Sequence, residues 1–122
     1  MENDILIVDD DKDILTSLRE VFQYHGNVVF TAESGFECIR RIKDGFHGVL
    51  LIDIMMPKMD GWDTIREIVK NGLEDNVKIV VITARGTHHQ EKMQGLEPFI
   101  LDYVRKPFDL NILLSIVNNL NY

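Results

Sequence analysis

Four aspartates, a threonine and a lysine stand just after short apolar runs: Asp9, Asp10, Asp53, Thr83 and Lys106, with Asp11 completing an acidic triplet. Carboxylates brought together repel; two of them ~4 Å apart cost on the order of 4 kcal/mol at an effective dielectric of about 20. Folding tolerates this only if a cation is supplied or a carboxyl pKa rises. No histidine or cysteine adjoins these aspartates in the chain. They would therefore form a hard-oxygen site, which suits Mg²⁺ better than zinc. A carboxylate can also act as a nucleophile and form an aspartyl phosphate. That transfer needs positioning and neutralisation of the phosphoryl oxygens. A bound cation would serve one oxygen, the Lys106 ammonium a second and the Thr83 hydroxyl a third.

These residues can meet only if the chain folds so that the apolar runs end on one rim. The runs are Ile5–Val8, Val28–Phe30, Val49–Ile52, Ile79–Ile82 and Ile100–Val104. Three are unbroken Val/Ile/Leu stretches, as in parallel strands covered on both faces. Helical spacing follows each run. Ile14, Leu15, Leu18, Val21 and Phe22 form one stripe, with Asp11 placed to cap it. Ser34-Gly35-Phe36-Glu37 reads as a capping box ahead of Cys38, Ile39 and Ile42. A third helix starts near Asp60, with Trp62, Ile65, Ile68 and Val69 inward, and a fifth near Asp109, with Ile112, Leu113, Ile116, Val117 and Leu120. Between Thr87 and Gly95 only Met93 is apolar and Pro98 follows, which predicts a short fourth helix. Repeated β-then-α implies right-handed crossovers and a doubly wound α/β sheet. In such folds ligands sit beyond the carboxyl ends of the strands.

The 122 residues suit one domain, 1–122, and the 45% hydrophobic content can build a core. A formal charge of −7 disfavours nucleic acid or an anionic membrane as partner and favours a cation or a basic protein patch. The single Cys38 allows no internal disulfide and suits a reducing compartment. No basic stretch precedes the first apolar run, and the runs are far shorter than the ~20 residues of a membrane span. A soluble cytoplasmic protein is expected.

Taken in order, Asp9-Asp10, Asp53-Ile54-Met55-Met56-Pro57-Lys58-Met59-Asp60-Gly61, Thr83-Ala84 and Asp102-Tyr103-Val104-Arg105-Lys106-Pro107-Phe108 resemble the receiver domains of two-component response regulators. The resemblance spans the whole chain. It implies a flavodoxin-like (βα)5 fold with strand order 2-1-3-4-5, and phosphoryl transfer to Asp53 from a phosphohistidine on a sensor histidine kinase or phosphotransfer protein. It further implies Mg²⁺ held by Asp10, Asp53 and the Met55 backbone carbonyl, with Asp9 acting through water. Lys106 would pair with the phosphoryl group and precede a cis proline. Thr83 and Tyr103 would form the switch, changing an output face made by the fourth helix, fifth strand and fifth helix. Receivers carry a Gly-Ala pair shortly before Asp-Tyr; here Phe99-Ile100 follow Pro98, which predicts altered packing of that face. Met55 and Arg85 flank the expected phosphoryl site. Such a protein would be no enzyme beyond catalysing its own phosphorylation and dephosphorylation. The kinase, the downstream target and any dimerisation on phosphorylation are not legible in the residues.

Other readings compete. A receiver-like binding module could signal without phosphate, although the complete acidic pocket argues against it. Asp9-x-Asp11 loosely mimics an aspartyl phosphatase, but 122 residues leave no substrate cap. A flavin binder would need a Gly/Ser/Thr-rich phosphate loop where the acidic triplet stands. His25, His47, His88 and His89 lack metal-ligand spacing and read as surface, Cys38 as semi-buried and inert, and Trp62 as helix packing.

Overall fold

The computed structural model describes residues 4–84 and 90–120. Five strands, β1 (Ile5–Val8), β2 (Val29–Ala32), β3 (Gly48–Asp53), β4 (Val77–Thr83) and β5 (Ile100–Arg105), form one parallel sheet in the order β2-β1-β3-β4-β5. Five helices connect or follow them: α1 (Lys12–Tyr24), α2 (Gly35–Lys43), α3 (Gly61–Lys70), α4 (Gln90–Met93) and α5 (Leu110–Asn119). The expected architecture and strand order are thus present.

Burial on both faces explains the unbroken apolar strands. Alternate residues of each strand feed two separate cores. Leu6, Val8, Leu50, Ile52, Ile79 and Val81 meet Cys38 and Ile42 of α2 and Trp62, Ile65 and Ile68 of α3. Their neighbours Ile5, Ile7, Val49, Leu51, Val80 and Ile82 meet Leu15, Leu18 and Phe22 of α1 and Leu113 and Val117 of α5. Each fully buried Ile or Leu side chain contributes about 1.5–3 kcal/mol relative to exposure. The inner strands are therefore the rigid frame from which the rim residues project.

Side-chain oxygens start the helices where backbone N–H groups lack partners. Asp11 accepts from Asp13 N at 2.9 Å and Asp109 from Asn111 N at 2.7 Å. Ser34 accepts from Glu37 N at 3.1 Å, but the Glu37 carboxylate takes Glu33 N instead, so the expected reciprocal box at α2 is only half made. The complete box lies at α3, where Asp60 accepts from Asp63 N and Asp63 from Asp60 N.

Several boundaries differ from the sequence reading. β2 starts at Val29 rather than Val28, because Val28 serves only through its carbonyl, which accepts Ile5 N, and its side chain is exposed. Ile112 of α5 points to solvent at 57% exposure, since the buried stripe runs through Leu113 and Val117. Cys38 is fully buried rather than semi-buried. Among the described residues the fourth helix is the turn Gln90–Met93, and Thr87, His88 and His89 of the stretch expected to form it lie outside them. Pro98 lies in a 3-10 turn, Glu97–Phe99, that leads straight into β5. There the register slips: Ile79 pairs with Ile100 but Val80 pairs with Asp102, leaving Leu101 as an exposed extra residue. The departure at Pro98-Phe99-Ile100 therefore coincides with a bulge on the edge strand.

Candidate functional site

Parallel pairing sets the rim. Val8 lies beside Ile52, and Asp53 lies beside Ile82, so Asp9, Asp53 and Thr83 stand at one end of three adjacent strands. Lys106 joins them because its backbone N donates to Thr83 O at 2.7 Å, one residue past the Thr83–Arg105 pair. The Lys106–Pro107 peptide is cis, as the resemblance implied.

Carboxylate oxygens of Asp9, Asp10 and Asp53 all lie within 4.8 Å of one another. Asp9 and Asp53 are 2% and 4% exposed, whereas Asp10 faces solvent. The Lys106 Nζ sits between the two buried ones, 3.1 Å from Asp9 Oδ2 and 3.2 Å from Asp53 Oδ2. Each buried aspartate also takes a backbone N–H two residues on: Asp11 N to Asp9 Oδ1 and Met55 N to Asp53 Oδ1, both at 2.9 Å. Those turns fix which oxygen of each carboxylate remains turned toward the lysine.

Charge is unbalanced here, with three carboxylates against one ammonium. Burial is the largest influence on Asp53 and pushes its carboxyl above the ordinary range. The Met55 N–H pulls it down, the Asp9 charge pushes it up, and Lys106 pulls it down again without reversing the outcome. For Lys106, burial works against the charged form, but the Asp9 hydrogen bond and the Asp53 charge outweigh it and raise its pKa. Three clustered oxygen donors with an excess of negative charge fit a hard divalent cation. The donor set holds no sulfur or imidazole, so it is a poor match for zinc.

The remaining predicted residues fall around this cluster. Thr83 is half-buried at the end of β4. Met55 is exposed beside Asp53, and Met56 is buried beneath the loop. Tyr103 on β5 is 45% exposed, and its hydroxyl donates to Met93 Sδ at 3.3 Å, placing the ring against α4. Arg85, His88 and His89 lie outside the described residues. His25 and His47 are on the surface.

Two glycines matter more than sequence reasoning suggested. A Cβ on Gly61 would lie 2.6 Å from Ile54 Cα and 2.8 Å from Asp53 O. A Cβ on Gly35 would lie 2.2 Å from Thr64 Oγ1. Gly61 also donates its N–H to Ile54 O, so the start of α3 is pressed directly onto the backbone that presents Asp53. The legible signal was Asp60-Gly61 ahead of an apolar helical stripe, a helix start with no room for a side chain. A contact that spacing could not reveal joins Lys92 of α4 to Asp60, across 32 residues of sequence.

A parallel sheet of this order, with an acidic cluster and a lysine at the carboxyl rim, is the receiver architecture, and family comparison agrees. The model of the response regulator receiver domain matches residues 5–118, and the chain belongs to that family. It is 37% identical over 111 residues to the response regulator MprA of Mycobacterium ulcerans, covering 91% of this chain and 47% of that protein. The chain thus spans about half the length of the curated relatives it matches. A CheY-like receiver domain protein from Methanospirillum hungatei JF-1 superposes with a TM-score of 0.86 at 42% identity, covering 95% of this chain and 97% of the other. The receiver domain of the Francisella response regulator 1452 gives 0.83 at 28% identity, covering 98% and 96%. No helix among the described residues is long and apolar enough to cross a membrane.

Proposed function

We propose that this receiver domain accepts a phosphoryl group on Asp53 from a histidine kinase or phosphotransfer protein and uses it as a signalling switch. The observation that carries the reading is the Lys106 ammonium held between Asp9 and Asp53 on the strand-end rim. An ionised Asp53 oxygen attacks phosphorus, the P–N bond to the donor imidazole breaks, and the imidazole nitrogen keeps the bonding electrons. Met55 N holds Oδ1 and Lys106 holds Oδ2, so both contacts orient the carboxylate on the rim.

Asp10, Asp53 and the Met55 carbonyl would hold Mg²⁺, with Asp9 assisting through water. The ion would supply charge neutralisation for one phosphoryl oxygen. Lys106 would hold a second oxygen, shifting from Asp53 toward the new group, and the Thr83 hydroxyl a third. Tyr103 would leave Met93 as Thr83 moves, altering the face formed by α4, β5 and α5. Chemistry is confined to the protein's own aspartate, so the domain turns over no separate substrate. A histidine kinase donor places the domain in the cytoplasm, and any change of oligomeric state would be read on its beryllofluoride complex by sedimentation.

Incubation with acetyl phosphate and Mg²⁺ should raise the intact mass by one phosphoryl group, and Asp53→Asn should stay unmodified. A wild-type protein that takes no phosphate, or an Asp53→Asn protein that takes as much, overturns the reading. The first outcome would instead favour a receiver fold that binds its partner without phosphate.

A further inference from the structure

The described turn of α4, Gln90–Met93, has a single apolar side chain, Met93, to pack on the core, and a turn of helix gains little from its own hydrogen bonds. Beyond that apolar contact, what holds it is polar and comes from α3. The Lys92 Nζ lies 2.6 Å from Asp60 Oδ2 and 4.0 Å from Asp63 Oδ2. Arg66 Nη2 donates to the Lys92 carbonyl at 2.7 Å, so the same residue is gripped at its side chain and its backbone. On its other side, Met93 receives the Tyr103 hydroxyl.

The anchor is also tied to the phosphoryl site. Asp60 caps α3, and the next residue, Gly61, is bonded to Ile54 O and packed on the Asp53 carbonyl. A shift of the segment between Asp53 and Asp60 therefore moves the carboxylate that Lys92 holds.

We propose that Lys92 and Arg66 latch α4 onto the head of α3, keeping Tyr103 on Met93 and opposing the conformation that accepts phosphate. The proposal rests on the phosphoacceptor reading above and assigns its regulation to a contact outside the acidic cluster. In a two-state switch, the apparent readiness of the site scales with the fraction of molecules in the competent form. Releasing the latch raises that fraction.

Lys92→Gln removes the ion pair while keeping a polar side chain one atom shorter, and Lys92→Arg keeps the charge. Neither touches the acidic cluster or Lys106. Phosphorylation by acetyl phosphate should run about two- to fivefold faster in Lys92→Gln, the span expected for a partly exposed pair. In Lys92→Arg the rate should stay near wild type. The Met93 methyl resonance, which senses the Tyr103 ring, should move in Lys92→Gln toward its position in the wild-type beryllofluoride complex. An unmoved resonance overturns the latch. A moved resonance with an unchanged rate overturns its coupling to the site. If no variant takes phosphate, the phosphoacceptor reading and the rate effect both fall, while the Met93 resonance of the unphosphorylated proteins still decides whether Lys92 holds α4.

Discussion

Replacing Asp53 by Asn should stabilise the metal-free protein, although it removes the residue on which the proposed function depends. The oxygens of Asp9, Asp10 and Asp53 lie within 4.8 Å of one another, and each pair at that separation repels by about 3.5 kcal/mol at an effective dielectric of about 20. Lys106, 3.2 Å from Asp53, returns about 5 kcal/mol on the same basis. Two repulsions therefore outweigh one attraction. The margin shrinks because Asp10 faces solvent and its charge is screened. Asn keeps an oxygen for the Met55 N–H, and Lys106 keeps Asp9. A gain of about 1 kcal/mol remains, equivalent to a rise in Tm of about 3–5 °C.

The pH dependence has a definite sign. Burial first, and the Asp9 charge with it, raises the folded pKa of Asp53 above its ordinary value of 3.8. A carboxyl with a raised folded pKa makes its full contribution to stability while protonated, and loses it as pH rises from the unfolded value through the folded one. Asp53→Asn should therefore match wild type in acid and exceed it at neutral pH. Urea denaturation across that range in chelator-treated buffer measures the difference. Added Mg²⁺ should stabilise wild type by about 1.4 kcal/mol at ten times its Kd and stabilise the variant much less. If Asp53→Asn is less stable than wild type at neutral pH without metal, the account of a strained acidic cluster is wrong.

Gly61→Ala should be severe despite its small size, because its Cβ would meet Ile54 Cα at 2.6 Å and these are backbone atoms that cannot turn aside. A loss of about 1–3 kcal/mol by urea denaturation is expected, with slower phosphorylation as Asp53 is displaced. A wild-type-like stability would show that α3 can slide away from β3. Cys38 is buried between sheet and α2, and burial, aided by the Glu37 charge, pushes its thiol up to about 12. Native protein at pH 8 should therefore resist a thiol-specific disulfide reagent, and urea-unfolded protein should react fully; rapid labelling of the native state would contradict the packing of α2.

The sequence by itself determined the layering and which polar residues follow the strands. Unbroken Val/Ile/Leu runs such as Val49–Ile52 require cover on both faces, and helical stripes such as Leu15, Leu18 and Phe22 supply it. Those local patterns implied a parallel sheet, and the rim rule then narrowed 20 acidic residues to the few that follow strands, Asp9, Asp10, Asp11 and Asp53. Strand order 2-1-3-4-5 and the functional roles came only with the family resemblance. Tertiary structure alone decided which carboxylates lose their water. Asp9 and Asp10 are neighbours of identical chemistry, yet only Asp9 is buried against Lys106, because successive backbone residues leave the strand in different directions. It also decided that Asp60 and Asp63, rather than Ser34 and Glu37, complete the reciprocal helix cap. The Lys92–Asp60 contact and the bulge at Leu101 join elements far apart in the chain. Such contacts leave no periodic trace, since their partners are chosen by how packed elements meet in space.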